Sequence, residues 1–336
     1  MNKHIVLIFI LFTHFFSYSQ NRIITIASYN VENIFDTINQ PNNDDEFTPD
    51  GKNKWTQKRY NKKINDIAYV ISEIGKELSN KAPDIIGLCE VENRTVVKDI
   101  IATETLKKYN YQILHFDSPD KRGVDVAMIY NPLIFKLINC IPITLTIPEK
   151  KDFYTRDMLL ATGNIESQTF HFIICHWPSR RGGEKKSKTL RIAAAQLCKK
   201  TVDSLITINP NANIVIMGDF NDNPDNESIY KFLNAKKDSI KLKPNELYNT
   251  SFGIYEQGVG SLAYQDTWSL FDQIIINQNL INNDSGYKYL KTKIFNQSFL
   301  QQKEGRFKGY PWRTYIGRNY SGGYSDHFPA YMFLAK

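Results

Sequence analysis

Six short runs of β-branched and apolar residues are spread along the chain: Ile23 to Ser28, Ile85 to Cys89, Val126 to Tyr130, Phe170 to Cys175, Asn213 to Met217 and Gln273 to Ile276. Each reads as a strand. Between some of them the period changes. Ile64, Ile67, Ala68, Ile71, Ile74 and Leu78 recur at three- and four-residue steps, and Leu190, Ala194, Leu197 and Leu205 suggest a second stripe, the pattern of amphipathic helices. Strands and helices follow one another in mixed rather than strictly alternating order, which favours α/β layers with mixed sheets over a pure doubly wound fold.

The N-terminus is organised differently. Lys3 precedes an apolar run from Ile5 to Phe16, followed by Ser17-Tyr18-Ser19 and Gln20, the layout of a secretory signal peptide over residues 1–19. The run is short for a bilayer, and no other stretch approaches the roughly 20 apolar residues of a membrane helix. The expectation is an exported, secreted or periplasmic protein with no stable membrane insertion. No repeat, low-complexity block or Pro/Gly-rich linker divides the rest, so residues 20–336 are expected to form one domain. Cys89, Cys140, Cys175 and Cys198 lack metal-binding spacing, and Cys89 and Cys175 lie in apolar runs, where a thiol acts as a small hydrophobe. Export permits a disulfide, but spacing does not assign one.

Polar residues stand at the ends of the strand-like runs. Asn30 and Glu32 follow the first run, Glu90 the second, His176 the run ending at Cys175, and Asp219 and Asn221 the run ending at Gly218. Asp272 directly precedes one apolar run, and Asp326-His327 the last, Phe328 to Leu334. Groups placed by core strands form a pre-organised site if the strands lie side by side. Singly, each has an ordinary structural reading: a buried histidine, a strand-end acid, an Asx turn at Asp219-Phe220-Asn221. Their joint occurrence points to chemistry.

Glu32, Glu90, Asp219 and Asp326, with the amides of Asn30 and Asn221, offer hard oxygen donors that suit Mg²⁺, Mn²⁺ or Ca²⁺. Carboxylates facing a phosphate repel it unless a cation lies between them. A charged histidine can donate hydrogen bonds to the extra negative charge on pentacoordinate phosphorus; Asp272 is expected to pair with His327, and Asp125 with His176. Arg180 and Arg181, in the loop that follows His176, are read as phosphate contacts, since guanidinium forks match phosphate oxygens. Lys185, Lys186 and Lys188 are read as solvated. The segment Arg306 to Tyr324, which carries Arg313, mixes cationic and aromatic side chains that can follow a nucleic-acid strand or fold back as a lid. Trp55, Arg59 and Tyr60 are read as structural anchors. The formal net charge of +7 adds a mild bias toward polyanions.

These residues resemble the endonuclease/exonuclease/phosphatase superfamily, which includes deoxyribonuclease-I-like and abasic-site endonucleases, sphingomyelinases and inositol polyphosphate phosphatases. The resemblance rests on Ser28 to Asn33, Ile86 to Glu92, Gly123 to Ala127, Cys175 to Pro178, Gly218 to Asn221, Phe271 to Ile274 and Tyr324 to Pro329, in the family's order. It implies a four-layer α/β/β/α sandwich of two mixed sheets with helices outside. It implies Glu90 as principal metal ligand with Asn30, Glu32 and Asp326, and Asp219 activating the attacking water. By the same resemblance Asn221 and His176 hold phosphate oxygens, and the Asp272–His327 pair stabilises the transition state of an in-line attack. The loops after His176 and before Asp326 resemble an exported bacterial branch.

The expected function is therefore a divalent-metal-dependent phosphodiester hydrolase, an exported nuclease on DNA or RNA, acting as a monomer with Mg²⁺ and no protein partner. Two alternatives stand beside it. One is a phospholipase C/sphingomyelinase-like enzyme or a sugar or inositol phosphate phosphatase; the other is a non-catalytic binding module on the same fold.

Overall fold

The computed structural model of this chain describes residues 22–150, 152–282 and 286–336. The expected signal peptide, residues 1–19, lies outside the described residues. Every apolar run read as a strand is one, and the strands assemble into two large mixed sheets. The first has the order Lys288–Ile294, Ala330–Ala335, Ile23–Ile34, Ile85–Val91, Asp125–Tyr130, Gln112–His115; the second runs Phe135–Ile143, Met158–Ile165, Gln168–His176, Asn213–Asp219, Asp272–Ile276, Leu247–Asn249, Ala235–Lys236. Each sheet has a parallel pair at its centre. Ile23–Ile34 is parallel to Ile85–Val91, and Gln168–His176 is parallel to Asn213–Asp219, while their outer neighbours are antiparallel.

The two sheets pack face to face, with helices on the outside. Along Gln168–His176 the side chains alternate between two cores: Phe170, Phe172 and Ile174 enter the layer between the sheets, whereas Ile173 and Cys175 point to the outer layer under helix Glu184–Ile208. The next strand repeats this, with Val215 and Met217 inward and Ile214 and Ile216 outward. Burial on both faces explains why these strands read as unbroken apolar runs rather than as alternating ones. Gly87 lets the sheets approach: a Cβ there would lie 3.1 Å from the Ile174 side chain and 3.2 Å from that of Met217.

Three elements depart from the sequence reading in detail. The stripe from Ile64 to Leu78 is not one helix, because helix Gln57–Glu73 stops before Gly75, which has φ +76° and lies where a Cβ would come within 2.5 Å of Thr25. The second stripe is rotated, its buried line being Arg191, Ala194, Ala195, Cys198 and Val202. The first strand continues through Asn30 and Glu32 to Ile34 instead of ending before them. All four cysteines are free. The anchors expected at the start of helix Gln57–Glu73 are anchors: Trp55 is buried and donates to Phe35 O at 2.9 Å, and Tyr60 donates to Asp99 at 2.6 Å.

Phe172 is fully buried, in edge-to-face contact with Phe135 and stacked on Phe170. Phe172→Ala should lower unfolding free energy by about 3–5 kcal/mol, as large-to-small core changes do. Urea denaturation followed by circular dichroism checks this; a loss below about 1 kcal/mol would mean that the inter-sheet layer does not hold the fold in this way.

Candidate active site

Sheet register brings the first site residues together. His176 pairs with Asp219 across the parallel strands, and Asp272 pairs with the same Asp219 from the antiparallel side, so one rung carries all three. Asn30, on the other sheet, reaches across and donates from Nδ2 to Asp219 Oδ2 at 3.0 Å.

The carboxylates of the first sheet are aimed by irregular backbone. Its register slips between Asn30 and Ile34 and again between Cys89 and Val91. Glu32 has φ 55°, Asn33 φ 43° and Glu90 φ 66°. Bulges re-aim side chains, and left-handed backbone at non-glycine residues persists where neighbours hold it. The neighbours here are hydrogen bonds. Glu90 Oε2 accepts from Asn33 N at 2.9 Å, and Asn30 Oδ1 accepts from Glu32 N at 3.0 Å. Asn221, with φ 52°, donates its N–H to Asp219 Oδ1 at 2.9 Å and its side-chain amide to Trp177 O at 3.0 Å.

The final segment closes the set. His327 Nδ1 lies 2.6 Å from Asp272 Oδ2, the oxygen that also accepts from Ser261 Oγ at 2.6 Å, so the expected Asp272–His327 pair is present and buried. Ser325 Oγ donates to Asn30 O at 2.7 Å and accepts from His327 N at 3.1 Å, fastening this segment to the first strand. Asp326 Oδ1 stands 3.9 Å from His327 Nε2, and its Oδ2 stands 3.2 Å from Arg313. Lys63 was not singled out by sequence reasoning, because it reads as one more polar position on a helix. It is buried, donates to Thr314 Oγ1 at 2.7 Å and Tyr324 O at 2.6 Å, and lies 3.6 Å from Glu32.

Two expectations are corrected. Asp125 does not reach His176: its Oδ2 lies 3.0 Å from His115 Nε2, and its Oδ1 accepts from Ser118 N at 2.9 Å. His176 Nδ1 is buried without a partner, and Nε2 lies 3.8 Å from Glu90 and 3.7 Å from Asp219. Burial, reinforced by Arg156, Arg122 and His327, pushes the His176 pKa well down, so this imidazole is neutral rather than charged. Arg180 is also not free for substrate. It donates to Asn221 O at 2.9 Å, Asp222 at 3.1 Å, Asn226 at 3.0 Å and Glu184 at 3.0 Å, and stacks over Phe271. Its guanidinium locks the turn that carries Asn221. Arg181 is exposed and lines a cavity of about 340 Å³ with Lys121, Arg122, Lys150 and Lys186, beside Pro178 and Ser179. Arg313 lines a second cavity of about 380 Å³ with Tyr264, Arg306, Phe307 and Tyr310.

Charge at this site is unbalanced. Burial and then the charge of Asp326 push Glu32 up to about 7. Burial pushes Asp219 up to about 6, with Asp272 and Glu90 adding to it against His327. Burial alone would lower His327, but the charge and hydrogen bond of Asp272, with Asp219 and Asp326, outweigh it and hold the imidazolium well above its usual range. Oxygen donors in excess, with no thiol among them, fit a hard divalent cation. Among the described residues, the one group of three or more His, Cys, Asp or Glu whose ligand atoms all lie within 4.8 Å of one another is a different one, His115, Asp117 and Asp125.

The family model described as the endonuclease/exonuclease/phosphatase family matches residues 25–336. The chain belongs to this family. Its members are in general phosphoester hydrolases that use a divalent metal. No curated protein matches the chain. Among solved structures, truncated Caenorhabditis elegans TDP2 is similar at TM-score 0.57 and 14% identity over 94% of this chain and 98% of that one. Danio rerio TDP2 complexed with a single-strand DNA product gives 0.51 and 14% over 93% and 98%, and the human Nocturnin catalytic domain with bound sulfate 0.52 and 15% over 94% and 97%. At these identities the likeness shows the fold.

Because Asp219 and Glu32 are raised above their unfolded values, these two carboxyls hold more protons in the native than in the unfolded state between about pH 4 and 7, and their contribution to stability falls as pH rises through that window. These are two groups against the one lowered imidazole of His176, which acts in the opposite direction. A bound cation removes the repulsion. Melting temperature should therefore drop from pH 5 to 8 in EDTA, and Mg²⁺ should raise it more at pH 8 than at pH 5; an equal Mg²⁺ effect at both would contradict this assignment of charge.

Proposed function

We propose that this chain is a divalent-metal-dependent phosphodiesterase acting on nucleic acid, exported after removal of residues 1–19. The observation that carries the reading is the Asp219 rung: His176, Asp219 and Asp272 abreast, tied to Asn30 across the sheets, with the Asp272–His327 pair behind. Glu90, Glu32, Asp326 and Asn30 are the residues that would hold Mg²⁺, with Mn²⁺ or Ca²⁺ as substitutes. When bound, such a cation neutralises phosphate and leaving-group oxygens.

The remaining chemistry belongs to the side chains. Asp219 has its oxygens fixed by Asn30 and the Asn221 amide and a carboxyl pushed up to about 6, close to the working pH of a general base. It takes the proton of the attacking water. His327, charged and oriented through Nδ1 by Asp272, presents Nε2 as donor to the phosphorane oxygens. Neutral His176 and the Asn221 amide supply uncharged hydrogen bonds to the same phosphate, and Lys63 holds Glu32 in place.

Nucleic acid is favoured over a lipid or sugar phosphate by the surface. Lys121, Arg122, Lys150, Arg181 and Lys186 outnumber Asp120 and Asp152 in the lining of the cavity that follows His176, and Tyr264, Phe307 and Tyr310 line the one beside Arg313, a combination suited to phosphate and base contacts. Among the described residues no helix is long and apolar enough to cross a membrane. The DNA product bound by Danio rerio TDP2 adds weight to the same substrate class.

The test is hydrolysis of single-stranded DNA, RNA, sphingomyelin and an inositol phosphate, each with Mg²⁺ or EDTA. Mg²⁺-dependent cleavage of a nucleic acid is expected, and Asp219→Asn or His327→Ala should lower kcat about 100-fold or more with the fold intact. Cleavage that persists in EDTA, or cleavage of the lipid alone, would overturn the reading. Arg181→Ala should raise KM for nucleic acid with little change in kcat, whereas Arg180→Ala should lower kcat by loosening Asn221; the reverse pattern would show that Arg180 contacts substrate.

A further inference from the structure

Cys175 and Cys198 belong to different elements but to the same layer. Cys175 stands next to His176 on strand Gln168–His176 and points outward, as Ile173 does, under helix Glu184–Ile208. Cys198 stands on the buried line of that helix, between Ala195 and Val202, in the same apolar cluster. Neither residue has exposed surface, and the two thiols are hydrogen-bonded to each other. The other two cysteines are placed differently. Cys89 lies in the layer between the sheets and donates its thiol to the backbone oxygen of Cys175 at 3.3 Å, and Cys140 lies half-buried on the edge strand Phe135–Ile143.

Spacing along the chain could not assign a partner to Cys175, because the strand and the helix meet only in the fold. A disulfide requires β-carbons about 3.8 Å apart and a sulfur–sulfur bond of about 2.0 Å, and thiols already in contact across a packed layer reach this by small side-chain rotations. The strand has little freedom to move, since a Cβ at Gly218 of the neighbouring strand would lie 1.8 Å from Cys175 O. The helix therefore makes the adjustment. Burial, and then the hydrogen bond with Cys198, pushes the Cys175 thiol well above its usual range, so the thiolate that exchange needs is suppressed once the helix is seated. Oxidation belongs to the stage of folding at which the helix is still docking, and the finished bond is shielded from reductants.

We infer that Cys175 and Cys198 become joined by a disulfide when the chain folds in an oxidising medium, fastening helix Glu184–Ile208 to the strand that ends at His176. The structure holds the reduced pair. In the oxidation each thiol gives up its proton and the two electrons pass to a small-molecule disulfide such as oxidised glutathione, which leaves as two thiols. One S–S bond replaces two S–H bonds. The crosslink restricts the unfolded chain more than the folded one and so raises stability, and it holds in place the strand end that carries His176. From the proposed export the inference takes only the source of oxidant, and it does not depend on phosphoester hydrolysis.

The test is refolding of the reduced, unfolded full chain in a mixture of oxidised and reduced glutathione, followed by N-ethylmaleimide, digestion and mass spectrometry. A linked pair of peptides containing Cys175 and Cys198 is expected, with Cys89 and Cys140 alkylated. The melting temperature should be higher than that of the protein refolded in dithiothreitol, and this difference should vanish in Cys198→Ser and Cys175→Ser, each of which keeps a hydroxyl for the hydrogen bond. Alkylation of all four cysteines, a linkage through Cys89 or Cys140, or a melting temperature equal in both redox states would overturn the inference. Each of these results leaves the phosphodiesterase reading standing, because hydrolysis tests that reading separately.

Discussion

Carboxylates that repel one another are held within one small volume by the register of two β-sheets. Asp219 sits at the centre of this constraint, with His176 and Asp272 on its own rung and Asn30 bonded to it from the opposite sheet. Burial and then the charges of neighbouring acids raise Asp219 and Glu32 toward neutral pH. The inter-sheet layer of Phe172, Ile174, Val215 and Met217 keeps the strand ends from separating. Packing energy in the core thus sustains an electrostatic arrangement that the side chains would not adopt alone.

Much of this was legible in the sequence because it rests on position along strands. Apolar runs marked the strands, and the polar residues just beyond them marked the site; Asp272 and His327 meet as expected. The illegible part is local backbone. Nothing in the residues around Glu32 or Glu90 announces a bulge or a left-handed φ, since those conformations are held in part by bonds between residues remote in sequence, such as Asn33 N to Glu90. Lys63 was hidden for a related reason: a lysine on a helix reads as solvated until the segment ending at Tyr324 folds over it.

The arginines show where residue type alone misleads. Arg180 and Arg181 are adjacent and chemically identical, yet Arg180 is consumed by Asn221, Asp222, Asn226 and Glu184 while Arg181 faces solvent. The distinction comes from Asp222, a buried acid that also pairs with Arg191 at 2.8 Å. That salt-bridged turn is a positioning device for Asn221. Asp125 gives the converse lesson, since His115, ten residues earlier and on the neighbouring strand, takes the carboxylate that His176 was expected to use. The site consequently contains one charged and one neutral histidine.

Glu32, Glu90 and Asp326 are proposed to surround a cation beside Asp219. An anomalous difference map from crystals of the protein soaked in Mn²⁺ tests it most directly. A peak within coordinating distance of Glu90 and Glu32, with Asp219 facing it, is the predicted result. A map in which those carboxylates carry no peak at a saturating Mn²⁺ concentration would contradict it.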